Sequence, residues 1–144
     1  MKAPCITTVR ALAPLKLSIE WSTGEVYEVD ITAPVKRFKV LSPLKKPGVF
    51  SLAHPGLWGH SVAWTDEADL GADLLYELCR QQAGLPTPAE FDQWIKENSL
   101  SLSTAAEALG LSRRMVAHYR SGTRPIPKVV GLACKGFDMM KKAA

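Results

Sequence analysis

Cysteine is scarce and poorly placed for a framework. The chain has 3, at Cys5, Cys79 and Cys134, far apart and without a C-x-x-C pair. That excludes a disulfide scaffold and fits a reducing compartment, with the three thiols expected as small buried or half-buried apolar residues. Long apolar runs are missing as well. None approaches the ~20 residues that a membrane-spanning helix needs. The first twenty residues show neither a long apolar stretch nor a small-residue cleavage site. A soluble, cytoplasmic chain with no membrane partner is expected.

Signatures of catalysis and ligand binding are also lacking. There is no G-x-G-x-x-G, no phosphate-binding loop and no G-x-S-x-G. His54, His60 and His118 have no cysteine or paired carboxylate at metal-ligand spacing. Asp66, Gly71 and Glu77 match the first, sixth and twelfth positions of a calcium loop, but Ala68 and Leu70 fall at the third and fifth, where side-chain oxygens are required. No catalytic residue, metal site or cofactor is expected, and the chain does not read as an enzyme. Asp66, Glu67, Asp69 and Asp73 are expected to form a solvated edge that caps the following helix. An acidic partner face is the alternative.

What the chain does have is enough apolar material for a core, 47% of 144 residues, and an uneven distribution of charge. Residues 1–84 carry 9 Lys+Arg against 9 Asp+Glu, whereas residues 101–144 carry 8 against 2. The excess positive charge is C-terminal, which points to a polyanionic partner for that part.

The first half reads as strands. Residues 15–21 alternate Leu15, Leu17, Ile19 and Trp21 against polar neighbours, residues 25–31 continue the alternation, and Ser22, Thr23 and Gly24 between them form a hairpin turn. Residues 7–12 and 60–65 are further strands. From about Asp69 the period becomes helical, with Leu70, Leu74, Leu75, Leu78 and Cys79 on one face. Residues 35–48, with five Lys+Arg, are expected as a solvated loop over a half-buried strand, with a DNA contact as the alternative.

A Gly/Pro-rich stretch at 81–90 separates a second, helical part. Thr87 caps a helix opened by Pro88, with Phe91, Trp94 and Ile95 turned inward. Ser101 caps residues 102–109, Gly110 ends that helix, Ser112 caps the next and Gly122 stops it. A last helix begins near Pro127, with Val129, Val130, Ala133, Phe137 and Met140 on one stripe. Part of that stripe closes the core, and the remainder is a dimer contact. On a wheel of about 100° per residue, Met115, Val116 and Tyr119 share one arc. Arg113, Arg114, Ala117 and Ser121 share the opposite arc, with His118 on its edge. A small residue flanked by long donors suits a helix entering the DNA major groove, where Arg bonds guanine bidentately.

Ala106, Gly110, Leu111, Val116 and Tyr119, followed by Tyr-Arg-Ser-Gly-Thr-Arg-Pro-Ile-Pro, resemble the helix-turn-helix of the phage-repressor (Cro/CI, XRE) family over about residues 91–140. Leu102 stands where that family often carries a phosphate-contacting Gln. Residues 9–78 resemble a small bacterial domain of unknown function (DUF2442-like), through the 17–32, 48–58 and 62–78 segments. The combined expectation is an α+β chain. Its 1–84 part is a small antiparallel-sheet α+β domain, and 85–144 is an all-α, lambda-repressor-like helix-turn-helix domain. The resemblance implies a sequence-specific, homodimeric regulator of transcription that binds double-stranded DNA, a repressor or an antitoxin-type autoregulator. Base contacts are expected from Arg113, Arg114, Ala117 and His118, and phosphate contacts from Ser103, Ser112, Ser121, Arg124 and Lys128. The alternative is a protein-interaction module whose 1–84 domain holds a partner such as a toxin.

Overall fold

The computed structural model describes residues 3–12, 14–65 and 67–143. The chain is α+β and divides into two compact units, Lys2–Ala83 and Gly84–Ala144. The first holds two three-stranded antiparallel sheets with helical turns, and the second holds only helices among its described residues.

In the first unit, strands β1 (Ile6–Ala11), β2 (Lys16–Trp21) and β3 (Val26–Asp30) form one sheet in that order. The period-two pattern of β2 decides its inward face: Leu17, Ile19 and Trp21 are buried, and Lys16 and Glu20 are exposed. Leu17 pairs with Val29 and Ile19 with Tyr27 across the hairpin. A bulge between Ile6 and Thr8 shifts the register of β1 against β2. The second sheet runs β4 (His54–Pro55), β5 (Ser61–Thr65) and β6 (Ala68–Gly71). Helix α3 (Ala72–Gln82) closes the unit by burying Ala72, Leu75, Tyr76 and Cys79. It also fastens the free side of β3. The Gln82 amide accepts from Asp30 N–H and donates to Asp30 C=O, each at 2.8 Å. The Tyr76 hydroxyl donates to Glu25 at 2.8 Å, and Tyr76 meets Trp21 edge-on at 4.9 Å between centroids.

Four expectations change here. Leu70 belongs to β6, paired with Val62, and not to the helix. Consequently the inward face of α3 is set by Leu75, Tyr76 and Cys79, while Leu74 is exposed. Residues 35–48 hold no strand. They form α1 (Thr32–Arg37), a 3-10 segment (Lys39–Lys45) and the start of α2 (Pro47–Phe50), with Val35, Leu41, Leu44 and Phe50 buried. Pro34, Pro43 and Pro47 lack the N–H that a strand ladder needs; helical starts tolerate proline, as at Pro34 and Pro47, and Pro43 lies inside the 3-10 segment. In addition, the N-cap of α3 is Gly71, without a side-chain cap. Asp73 instead accepts from Ala3 N–H at 3.0 Å. Glu67 and Asp69 are exposed, and Asp66 lies outside the described residues. Of the thiols, Cys79 and Cys134 are buried but Cys5 is exposed. Burial pushes the Cys79 thiol up to about 12 and Cys134 to about 11.

The second unit comprises α4 (Pro88–Glu97), α5 (Leu102–Leu109), α6 (Arg113–Ser121) and α7 (Lys128–Ala143). Its core is Phe91, Trp94, Ile95, Ala105, Ala106, Val116, Tyr119, Ile126, Val130 and Cys134. Each fully buried side chain of Val or Ile size contributes about 1.5–3 kcal/mol. The local signals act as their chemistry requires. Thr87 Oγ1 accepts from Glu90 N–H at 3.1 Å, with Pro88 as the first helical residue. Ser101 and Thr104 form a reciprocal capping box. The α7 stripe splits. Val130 and Cys134 are buried and Phe137 is half-buried, whereas Val129 and Met140 point outward with Leu132 and Met139.

Candidate nucleic-acid interface

The site is built by the turn between α5 and α6. Gly110 has φ +70°, a left-handed conformation in which its N–H closes α5 onto Ala106 and Glu107 carbonyls. Leu111 then turns back against the core, and its N–H donates to Ala106 C=O at 2.9 Å. Ser112 starts α6, with its Oγ accepting from Met115 N–H at 3.1 Å. A few residues thus reverse the chain and set the rotation of α6.

That rotation buries Val116 and Tyr119, with Met115 half-buried beside them. Phe91 meets Tyr119 edge-on at 6.2 Å. A second tie is ionic. Arg120 Nε lies 2.6 Å from Asp92 on α4, and Lys96 Nζ lies 2.9 Å from the same carboxylate. Lys96 first and Arg120 second hold the Asp92 carboxyl below its ordinary value. Arg120 was not among the residues expected at the site, and its charge goes to holding α6 in place.

Arg113 and Arg114 stand exposed in the first turn of α6, and neither makes an ion pair among the described residues. Ala117 is half-buried one turn on. It shares a shallow depression of about 410 Å³ with Asp92, Leu102, Arg120 and Ser121. The start of α5 therefore adjoins the open side of α6. His118 differs from its neighbours: the ring is half-buried, and Nε2 is out of solvent with no hydrogen-bond partner. It does not stand on the open face with the two arginines.

The residues expected at phosphates are scattered around this face. Ser103 is exposed in the first turn of α5, Ser112 at the N-cap of α6, and Arg124 and Lys128 at the turn before α7 and the first residue of α7. Ser112 Oγ accepts within the cap, which leaves its own O–H free to donate. Ser121 is exposed, but its hydroxyl is engaged locally, with His118 C=O at 3.2 Å and Thr123 Oγ1 at 2.7 Å. The turn after α6 also departs from expectation. Its N–H groups at Gly122, Thr123 and Arg124 all donate to carbonyls at the end of α6 rather than facing outward, because no further helical turn follows to supply those carbonyls with N–H donors. The unengaged N–H groups lie at the other ends of the helices. The caps at Ser101 and Ser112 satisfy the third N–H of α5 and of α6, and leave those of Leu102, Ser103, Arg113 and Arg114 without an intrahelical acceptor. Helix starts of this kind attract anions. Each cap serine, one residue before its helix, is the sequence signal for them.

Among the described residues no group of His, Cys, Asp and Glu could hold a metal ion, and no helix is long and apolar enough to cross a membrane. By class, then, this is a two-unit α+β protein whose helical unit exposes an arginine-bearing helix start, with a shallow depression around Ala117 on the same helix. The chain is similar along nearly its whole length to a solved structure, the "Putative DNA Binding Protein NE0471" of Nitrosomonas europaea ATCC 19718. The two are 42% identical over 96% of this chain and 90% of that one, with a TM-score of 0.63. The chain belongs to the same family as that protein. No family model and no curated protein matches it.

Proposed function

We propose that this chain is a cytoplasmic, sequence-specific DNA-binding regulator of transcription, not an enzyme, in which α5, Gly110 and α6 form a helix-turn-helix of the phage-repressor type. On this reading α6 is the recognition helix of a repressor or an antitoxin-type autoregulator. The observation that carries it is the open face of α6: Arg113 and Arg114, exposed and without ion pairs, beside the small Ala117 and opposite the buried Val116 and Tyr119. Arginine at the leading end of a groove-entering helix bonds guanine O6 and N7 bidentately, and the small residue lets the helix approach. Ser103, Ser112, Arg124 and Lys128 surround that face and supply phosphate contacts, which position the helix without reading sequence. The name of the Nitrosomonas family member supports the same reading. Residues 9–78 are then a small domain of the kind found ahead of a helix-turn-helix.

The working form is a homodimer. A single helical unit of this size reads few base pairs, and a two-fold pair doubles the site, with half-sites about 34–36 Å apart or a multiple of that. The outward side of α7 supplies the contact. Val129, Leu132 and Met139 recur at helical spacing, and at Gly136 between them a side chain would meet open space. Leu132→Asp combined with Met139→Asp should convert a dimer to a monomer in light scattering while the helical circular dichroism is retained. A wild-type chain that is monomeric at micromolar concentration, both free and on DNA, would remove the dimer. The function itself is tested by selecting bound sequences from a random duplex pool: a reproducible motif is expected, and the absence of any enrichment would reject it.

A second reading, with a protein partner held by the first unit, is favoured by one feature. In the 3-10 turn Leu57–Gly59, Leu57 and Trp58 are 72% and 76% exposed, and Trp58 adopts φ +56°. A bulky residue kept exposed in the left-handed region is a cost of about 1–3 kcal/mol that a folded chain retains where the local geometry is used.

A further inference from the structure

The second unit carries the excess charge, yet the first has a one-sign surface of its own. Residues 31–65 contain no Asp or Glu, and 36–46 contain Lys36, Arg37, Lys39, Lys45 and Lys46. The zero net charge of residues 1–84 hides this, because the compensating acids all lie in 20–30 and 66–77. Folding brings one acid near the set, Glu77, which lines a depression with Arg37 and Phe38. Helices α1 and α2 and the 3-10 segment between them bury Pro34, Val35, Leu41, Leu44 and Phe50, which leaves all five basic side chains exposed. None makes an ion pair among the described residues.

Helix electrostatics accounts for only part of the set. Lys36, Arg37 and Lys45 lie in last turns, where a cation meets the negative end of the helix dipole. Lys39 opens the 3-10 segment just after the C-cap of α1, and Lys46 is at once the C-cap of that segment and the N-cap of α2, so the dipoles of adjoining helices oppose each other there. A surface made only for solubility intersperses both signs. Residues 31–65 do not, and the dipoles give no reason for Lys39 and Lys46.

We infer that this stretch of the first unit is a second, sequence-independent DNA-binding surface that contacts the phosphate backbone. The inference rests on the DNA-binding reading above and extends it to a unit for which that reading requires no DNA contact. The composition favours nucleic acid over an acidic protein. Four of the five cations are lysine, a residue depleted from protein–protein interfaces, whereas protein–DNA interfaces are polar and strongly positive. Long, flexible point charges at irregular spacing suit a phosphate array and need no bidentate geometry.

The test uses the full chain and a mixed-sequence duplex of about 30 base pairs, with the binding constant measured over a range of salt concentrations. The variant Lys39→Gln/Lys45→Gln/Lys46→Gln should make the slope of log K against log salt shallower by roughly two to three units, about 0.9 for each phosphate that is no longer neutralised. The sequence motif selected from a random pool should not change. The charge-keeping variant Lys39→Arg/Lys45→Arg/Lys46→Arg should restore the wild-type slope. An unchanged slope in a glutamine variant with wild-type circular dichroism overturns the inference and leaves the surface to an acidic protein partner. So does a weakening that arginine fails to restore, since charge is then not the cause. If the wild-type chain binds no duplex at all, the DNA-binding reading itself falls, and this inference with it; that result is distinct from sequence-selective binding with an unchanged slope.

Discussion

The two units reach their folds by different means. In Gly84–Ala144 nearly every helix boundary is written within a few residues of where it occurs: Thr87 before α4, Ser101 before α5, Gly110 after it, Ser112 before α6 and Gly122 after it. In Lys2–Ala83 the decisive contacts are remote in sequence. Gln82 fastens the Asp30 backbone, Tyr76 reaches Glu25, and the Trp64 indole N–H donates to Phe50 C=O at 3.0 Å. Two glycines show the difference on a small scale. At Gly110 the conformation is left-handed, but a Cβ would meet nothing within 4 Å, so only the local cap requires glycine. At Gly59, φ is +71° and a Cβ would lie 2.5 Å from Ile6 O and 2.8 Å from Ile6 N, so the approach of β1 requires it as well. A unit built from local stops is legible by its punctuation, and a unit built from long-range contacts is not.

The largest effect tests what the units share. Each has an apolar core, in which Val116 and Leu17 are both fully buried. Val116→Asp and Leu17→Asp should each cost on the order of 4 kcal/mol or more, because a carboxylate is buried without a partner. Limited proteolysis with mass mapping should find new cleavage within 84–143 for the first variant and within 3–83 for the second. Native-like resistance in either would show that its core is not what holds that unit.

The glycine pair comes next and tests the difference directly. Gly59→Ala should cost about 3 kcal/mol, combining a left-handed Cβ with a backbone collision. Gly110→Ala should cost roughly 1–2 kcal/mol from conformation alone. Urea unfolding midpoints decide the order. Equal costs would mean that β1 yields easily and that the tertiary constraint is weak.

The arginines of α6 come third, since their substitution should leave stability within about 0.5 kcal/mol of wild type. Arg113→Ala or Arg114→Ala should remove about 1–3 kcal/mol of discrimination at one base pair per half-site. The readout is the selected-sequence profile, with circular dichroism alongside. Unchanged profiles in both variants would move the assignment to the protein-partner reading.

The smallest effect separates two half-buried carboxylates by salt. Asp92 is held below its ordinary value by Lys96 and then Arg120, and Asp30 by the Thr32 hydroxyl and N–H. Both shifts are downward. Each therefore adds stability that is present above the unfolded carboxylate value and lost as pH falls through the lowered folded value. Asp92→Asn and Asp30→Asn should lower the melting temperature slightly at neutral pH and match wild type in strong acid. Added salt should shrink the Asp92 difference and spare that at Asp30, because ion pairs open to solvent are screened and local hydrogen bonds are not.

Sequence reading fared unevenly for the same reason. Around the candidate site it located the caps, the inward Val116 and Tyr119, and the exposed Arg113 and Arg114. It did not show that the His118 ring turns inward, that the Ser121 hydroxyl bonds to His118 C=O, or that the N–H groups of Gly122, Thr123 and Arg124 are used up capping α6. A wheel gives the angle at which a side chain leaves its helix. It cannot give what neighbouring helices leave uncovered, or which carbonyls need a donor. In the first unit the alternation of β2 was plain. Leu70 fitted a helical face equally well, and only its pairing with Val62 decides that it is in a strand.

The sequence by itself determined the hairpin at Ser22–Gly24, the starts of α4, α5 and α6, the stops of α5 and α6, and the core-facing side of α6. Backbone φ preferences, capping groups and apolar period act over a few residues, so they survive without knowledge of the fold. Tertiary structure alone decided that residues 32–50 coil over a core as helical turns with their five cations facing solvent, that β6 precedes α3, and that Arg120 is held by Asp92 while Arg113 and Arg114 stay open. Those outcomes depend on which distant group supplies the opposite charge, the missing strand partner or the covering surface, and no short window of sequence contains that partner.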